Sequence, residues 1–268
     1  MTDKEMILEY IRGGSSGVFN LSWADLTAMH LPKVNLSGVN LAFANLSGAN
    51  LTGANLKNAK LAGANLVGAK LSHADLSGAD LSGADLSGAN LTKAKLFNTL
   101  LIGAQLSKAN LKQANLIEAN LISTNLVKAI LVGANMPKAD FSFSDLSFAN
   151  LSSANLAGSY MLEANLTGTK FLGADLSNAD LSEANLSNAD LTQADLSEAN
   201  LTRVILVNTI LCNTNIKNII LKGSNIQDAK LKEVKRTERI AIPIRSKVIQ
   251  LPIIKPGDNK RVSLALYS

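Results

Sequence analysis

The chain has 268 residues, with 26 Lys and Arg against 21 Asp and Glu, and a single Cys. One Cys excludes an internal disulfide and fits a reducing compartment, and no stretch approaches the about 18 consecutive apolar residues that a membrane span needs. Aromatic residues make up only 4% of the chain, so aliphatic side chains must fill whatever core it builds.

At the N-terminus, Thr2 and Glu5 fit a capping box, and Met6, Ile7, Tyr10 and Ile11 give one apolar face. Gly13 and Gly14 supply a stop, so the spacing predicts a short helix over Thr2 to Arg12. Residues 1–17 lack a basic start followed by an apolar stretch, so no signal peptide is expected and the cytoplasm is the expected compartment. Such a helix can close the open end of whatever follows, or it can dock a partner. Closing an end is the ordinary use.

From Phe19 to about Val234 the chain follows a strict period of five. Every fifth residue from Leu21 to Leu231 is apolar, and it is Leu except at Met136, Phe141, Met161, Phe171, Ile216 and Ile226. Two residues earlier stands a small residue, mostly Ala, and one residue earlier Asn or Asp, as in Ala84-Asp85-Leu86-Ser87-Gly88. On an α-helix five residues advance the side chain by about 500°, and on a flat strand an odd step alternates faces, so neither element can use this period. All the Leu residues point one way only if the chain turns a corner in every repeat. Gly48, Gly53, Gly63, Gly78, Asn58 and Asn98, two residues after their Leu, supply the positive φ that the second central residue of a type II turn requires.

The run Ala74-Asp75-Leu76-Ser77-Gly78-Ala79-Asp80-Leu81-Ser82-Gly83 resembles the pentapeptide repeat proteins residue for residue. The resemblance implies an all-β solenoid: a right-handed quadrilateral β-helix with four repeats to a coil, closed by a short N-terminal capping helix. Four repeats to a coil is the family's number, and nothing in the sequence repeats visibly at twenty. With it, residues 19–234 make about ten to eleven coils, a rod roughly 50 Å long at the ~4.8 Å spacing of strands in a ladder. Leu and Ala then point inward, and the Asn and Asp side chains point outward, where they can stack along a face. The chain divides into 1–18, capping helix and linker; 19–234, the repeats; and 235–268, a basic tail.

Departures from the pattern mark the places to inspect. Phe19, Met29, Val34 and Val39 replace the inward Ala in the first coils, which predicts a wider interior beneath the helix. Trp23 and Phe43 fall on the same outward position of adjacent coils and should stack, with the helix covering them. Phe143, Phe148 and Tyr160 lie near the middle of the rod without an evident cover, and form a candidate interaction surface together with Trp23 and Phe43. Ile205, Ile210 and Ile220 replace outward Asn or Asp near the end, a surface for the tail or a second chain, while Val204, Thr209, Thr214 and Ile219 widen the interior.

Charge is zoned along the sequence. Residues 92–138 carry Lys93, Lys95, Lys108, Lys112, Lys128 and Lys138 against Glu118, whereas residues 171–200 hold Asp175, Asp180, Glu183, Asp190, Asp195 and Glu198 without a cation. These acids are a candidate acidic patch. The tail, with ten Lys and Arg against three acids over 230–268, carries the positive balance of the chain, so the basic pI is no sign of a nucleic-acid-binding rod. Ile240 to Ile254 is β-branched but broken by Pro243 and Pro252. A turn signal at Lys255-Pro256-Gly257-Asp258-Asn259 and an alternating segment, Arg261 to Tyr267, fit a terminal hairpin. Folding of 240–254 over the three isoleucines, with Arg239, Arg245 or Lys247 near Asp190 and Asp195, competes with a free basic arm.

Catalytic chemistry finds no residues to use. His30, His73 and Cys212 fall on one side of a twenty-residue coil, but His73 and Cys212 are about seven coils, roughly 34 Å, apart. No nucleophile and base, metal set or phosphate loop is expected, nor a cofactor or small-molecule substrate. The resemblance implies two function classes. One is a non-enzymatic protein-interaction scaffold of the kind abundant in cyanobacteria, some of which regulate cell differentiation, with an unidentified protein partner and a monomeric or end-to-end dimeric rod. The other is a DNA mimic protecting the topoisomerase gyrase. The basic stretch at 92–138 would repel a DNA-binding saddle, so the scaffold is the favoured reading.

Overall fold

A computed structural model of the chain describes residues 2–13, 19–234, 241–244 and 247–250. Parallel bridges join each residue before a buried Leu to the residue twenty later, from Asn20–Asn40 to Ile205–Asn225, so a coil holds four repeats and has four sides. Sides 1, 2, 3 and 4 are those whose first buried residues are Leu21, Leu26, Leu31 and Leu36, and sides 1 and 3 are opposite. No insertion interrupts the register from 20 to 225.

One repeat shows how the backbone closes its hydrogen bonds. The Leu81 N–H donates to Leu100 O in the next coil at 2.7 Å, Gly83 N–H to Ile102 O at 2.8 Å, and Asp85 N–H to Ala64 O in the previous coil at 2.9 Å. Ala84 N–H closes the corner on Leu81 O at 3.0 Å. The remaining amide, Ser82 N–H, donates to Asp80 Oδ1 at 3.0 Å. All five N–H groups of the repeat are paired, as a structure without helices or broad sheets must arrange. The residue two after each buried apolar residue has positive φ at every corner from Trp23 to Glu233, glycine or not. That is the type II corner predicted from Gly and Asn.

The interior is a column of Leu and Ala, almost all fully buried. Where Thr replaces the inward Ala, its hydroxyl donates to a Leu carbonyl of the coil before: Thr99 to Leu76 at 2.9 Å, Thr124 to Leu101 at 2.9 Å, Thr209 to Leu186 at 2.8 Å and Thr214 to Leu191 at 2.8 Å. Ser159, fully buried, has no partner for its Oγ. At the far end the column loosens into an apolar cavity of about 30 Å³ among Leu201, Leu206, Ile216, Ile219 and Leu231. Two short strands, β1 (Ile210–Cys212) and β2 (Lys230–Lys232), pair in parallel beside it.

The helix α1 spans Asp3–Gly13 with the capping box in place: Thr2 N–H donates to Glu5 Oε2 at 2.7 Å, and Glu5 N–H to Thr2 Oγ1 at 3.3 Å. Ile7 is fully buried in the rod's core cluster, Tyr10 stacks on Phe19 with ring centres 4.7 Å apart, and Asp3 Oδ2 accepts the Asp25 N–H at 2.8 Å. The helix does not cover Trp23 and Phe43, contrary to expectation. They stack at 4.5 Å and 14°, yet Trp23 is 73% and Phe43 51% exposed. Both stand at corners, at positive φ, outside the core cluster that Ile7 of the helix joins.

In the tail, β3 (Ala241–Ile244) and β4 (Lys247–Gln250) form an antiparallel hairpin, with Ala241 opposite Gln250 and Ile244 opposite Lys247. The hairpin lies inside the β-branched stretch 240–254, which supplies both of its strands. The turn expected at 255–259, the strand at 261–267, and Arg239 and Arg245 lie outside the described residues.

Candidate functional surface

Every outward side chain belongs to one of four sides or four corners, repeating at twenty, so residues far apart in sequence share a surface. Phe143, at the corner after side 1, and Tyr160, on side 1 of the next coil, are both about half exposed and border the same surface. Phe148 sits at the next corner, between sides 2 and 3, with its ring over Gly168, where a Cβ would come within 2.8 Å. No ring contact links these three, so the mid-rod aromatics do not form one cluster.

Side 1 gathers more apolar surface than the aromatics alone indicated. Phe97, Leu100 and Ile102 are exposed, and Ile117, Ile122, Pro137, Ala157 and Leu162 lie half-buried among them in successive coils. All but Leu100 stand at the corner positions, where any residue is tolerated, so the period of five does not mark them. Around the apolar strip stand Asp80, Glu118, Asp140, Glu163, Asp180 and Glu183, with Lys138 and, paired to Glu183, Arg203 as cations beside them.

Side 3 and its two corners carry the opposite sign. Lys70, Lys93, Lys108, Lys112, Lys128 and Lys170 are all exposed there, and none forms an ion pair with a described residue. From Val67 to Gly173 that surface holds no acid. Val67, Ile130, Phe148 and Leu172 are its exposed apolar groups.

The six acids of 171–200 do not share a surface. Asp175 and Asp195 stack on side 4 with Glu198 at the following corner, Asp180 and Glu183 belong to side 1, and Asp190 lies on side 3. Arg203 pairs with Glu183, Asn215 donates to Asp195 Oδ1 at 2.9 Å, and Asn200 to Asp180 Oδ1 at 3.0 Å. Ile205 and Ile220 are exposed and Ile210 half-buried, on sides 2, 1 and 3 in turn.

Most surface carboxylates are occupied in corners. The side-chain and backbone hydrogen bonds from Thr27 hold the Asp25 carboxyl below its usual range. Asp75 lies between Lys57 at 3.4 Å and Lys95 at 3.8 Å. Burial pushes its carboxyl up, but the Ser77 hydroxyl and amide together with the Lys57 ammonium outweigh this and hold it below the usual range. His30 Nδ1 contacts Asn50 Nδ2 at 3.2 Å, and among the described residues no group of His, Cys, Asp and Glu could hold a metal. No helix of the described residues is long and apolar enough to cross a membrane.

The family model "Pentapeptide repeats (8 copies)" matches residues 20–58, 59–98, 104–142, 144–182 and 179–218. No curated protein matches the chain. Among solved structures, the chain is similar to HetL, a pentapeptide repeat protein involved in heterocyst differentiation regulation from the cyanobacterium Nostoc sp. strain PCC 7120. The identity is 32% over 87% of this chain and 96% of that one, with a TM-score of 0.52. It is also similar to the pentapeptide repeat protein Rfr23 from the cyanobacterium Cyanothece 51142, at 25% identity over 46% of this chain and 88% of that one, TM-score 0.34. QnrB1, a plasmid-mediated fluoroquinolone resistance protein, matches at 21% identity over 78% of this chain and 90% of that one, TM-score 0.31.

Proposed function

Since the chain belongs to the pentapeptide repeat family, we propose that it is a non-enzymatic scaffold, a right-handed four-sided β-helix that binds another protein in the cytoplasm. The observation that carries this reading is the apolar strip of side 1 from Phe97 to Leu162. A rod whose core is closed along its length gains nothing in folding from Phe97, Leu100, Ile102 and Tyr160 standing half in water, and contiguous exposed apolar patches of this kind mark contact surfaces. The similarity to HetL, which is involved in differentiation regulation, supports a regulatory role for the contact. Six lysines without an acid along side 3 weigh against a rod that imitates duplex DNA.

Affinity capture from the native cell tests the reading. Wild type should retain a protein that the Phe143→Ser/Tyr160→Ser variant loses and that a Phe148→Ser control, off side 1, keeps. An identical set of captured proteins for all three would remove side 1 as the contact surface.

A further inference from the structure

The rod carries two unlike surfaces back to back. Side 1 is apolar and acidic, with Asp80, Glu118, Asp140, Glu163, Asp180 and Glu183 around Phe97, Leu100 and Tyr160. Side 3 is apolar and basic, with Lys70, Lys93, Lys108, Lys112, Lys128 and Lys170 around Ile130, Phe148 and Leu172. Both extend over the same coils. Both are ruled by the same ~4.8 Å ladder spacing, so rows of charge on one side recur at the pitch of rows on the other.

We infer that a second copy of this chain is the occupant of side 3: rods associate laterally, side 1 of one copy on side 3 of the next. This rests on the reading of side 1 as a contact surface and names its partner. Charge complementarity selects the second copy over the chain's own tail, because residues 230–268 carry ten cations against three acids and would be repelled by side 3. Matching pitch favours it over an arbitrary acidic protein, whose charges need not fall at multiples of the ~4.8 Å coil spacing. A lateral contact also lets the exposed apolar groups of both sides be buried together, which ion pairs alone would not drive. The two contacting surfaces differ, so the association is heterologous and does not close. Each added copy leaves one side 1 and one side 3 free. The apolar strip is only a few residues wide, so the association is weak and depends on concentration.

Sedimentation velocity and light scattering on the full chain read this directly. At low salt, from about 10 µM to about 1 mM, wild type should shift from monomer to a growing series of species, and about 0.5 M salt should weaken the shift. Lys108→Glu/Lys128→Glu disables side 3 at corners where Glu118 and Glu163 already adopt the same φ. Phe97→Ser/Leu100→Asn disables side 1 with the residue types that the repeat carries at those places. Each variant alone should remain monomeric, and an equimolar mixture should form dimers and nothing larger, because the outer surfaces of that dimer are the two disabled ones. The inference is overturned by a monomeric wild type at about 1 mM or by a mixture that stays monomeric. A dimer that stops at two copies and ignores both variants, the mark of an end contact, overturns it equally. If these experiments fail while protein capture still depends on Phe143 and Tyr160, self-association falls and the scaffold reading stands.

Discussion

Where Asp or Asn precedes the buried Leu, its side chain takes the one amide that ladder and corner leave over, as Asp80 takes Ser82 N–H and Asn50 takes Thr52 N–H at 3.1 Å. Stacking along a face, the role expected for these residues, also occurs: Asn40 Nδ2 donates to Asn20 Oδ1 at 2.9 Å and Asn155 to Asn135 at 3.0 Å. The repeat places its residues in unequal environments, and substitutions should follow them. Ala84 is fully buried and Ser82 is not, so Ala84→Glu should cost several kcal/mol through an unpaired buried charge, while Ser82→Glu should cost almost nothing. Equal thermal midpoints would contradict the inward placement of Ala84. Ser159 offers a gain. Its hydroxyl is buried without a partner, so Ser159→Ala, the repeat's own choice, should stabilise by about 1 kcal/mol and raise the melt by about 2–4 °C. Thr99→Ala, which removes a made hydrogen bond, should lower the melt. A loss of stability in Ser159→Ala would show that the hydroxyl has a partner after all.

At the level of elements, α1 was legible because its capping box, apolar spacing and glycine stop are all local signals. What it covers was not, since docking depends on which way the corner residues project. Ile7 enters the core, while Trp23 and Phe43 form an exposed stack at a corner. The hairpin of β3 and β4 went unread in the sequence for a related reason. A strong turn signal at 255–259 drew the expected turn there, although the β-branched stretch before it suffices for β3 and β4. Whether residues 235–268 close the loosened end of the rod can be measured on a chain truncated after Val234. If the tail covers Ile205, Ile210 and Ile220, the truncated chain should melt several degrees lower, with little dependence on salt. An unchanged melt of a monomeric truncated chain would make the tail a free arm.

For the whole molecule, the period of five was readable in almost every residue, and it carried the core and the corners with it. The surfaces were not readable, because they follow a period of twenty that the sequence does not show. The zoned charges of 92–138 and 171–200 are therefore dispersed by the coiling, and Lys70 and Lys170, a hundred residues apart, share a side with Lys108. The unbroken four-to-a-coil register has a consequence for how such a chain can change length. Losing five residues would keep every core position filled, yet would turn all that follows by a quarter of a revolution. The lysines beyond the gap would leave the line of those before it. Losing ten would bring the acidic strip of one half into line with the basic strip of the other. Only the loss of twenty would shorten the rod, by about 4.8 Å, and leave each surface continuous. In this fold a change in length that spares the core is a rotation of what the protein presents.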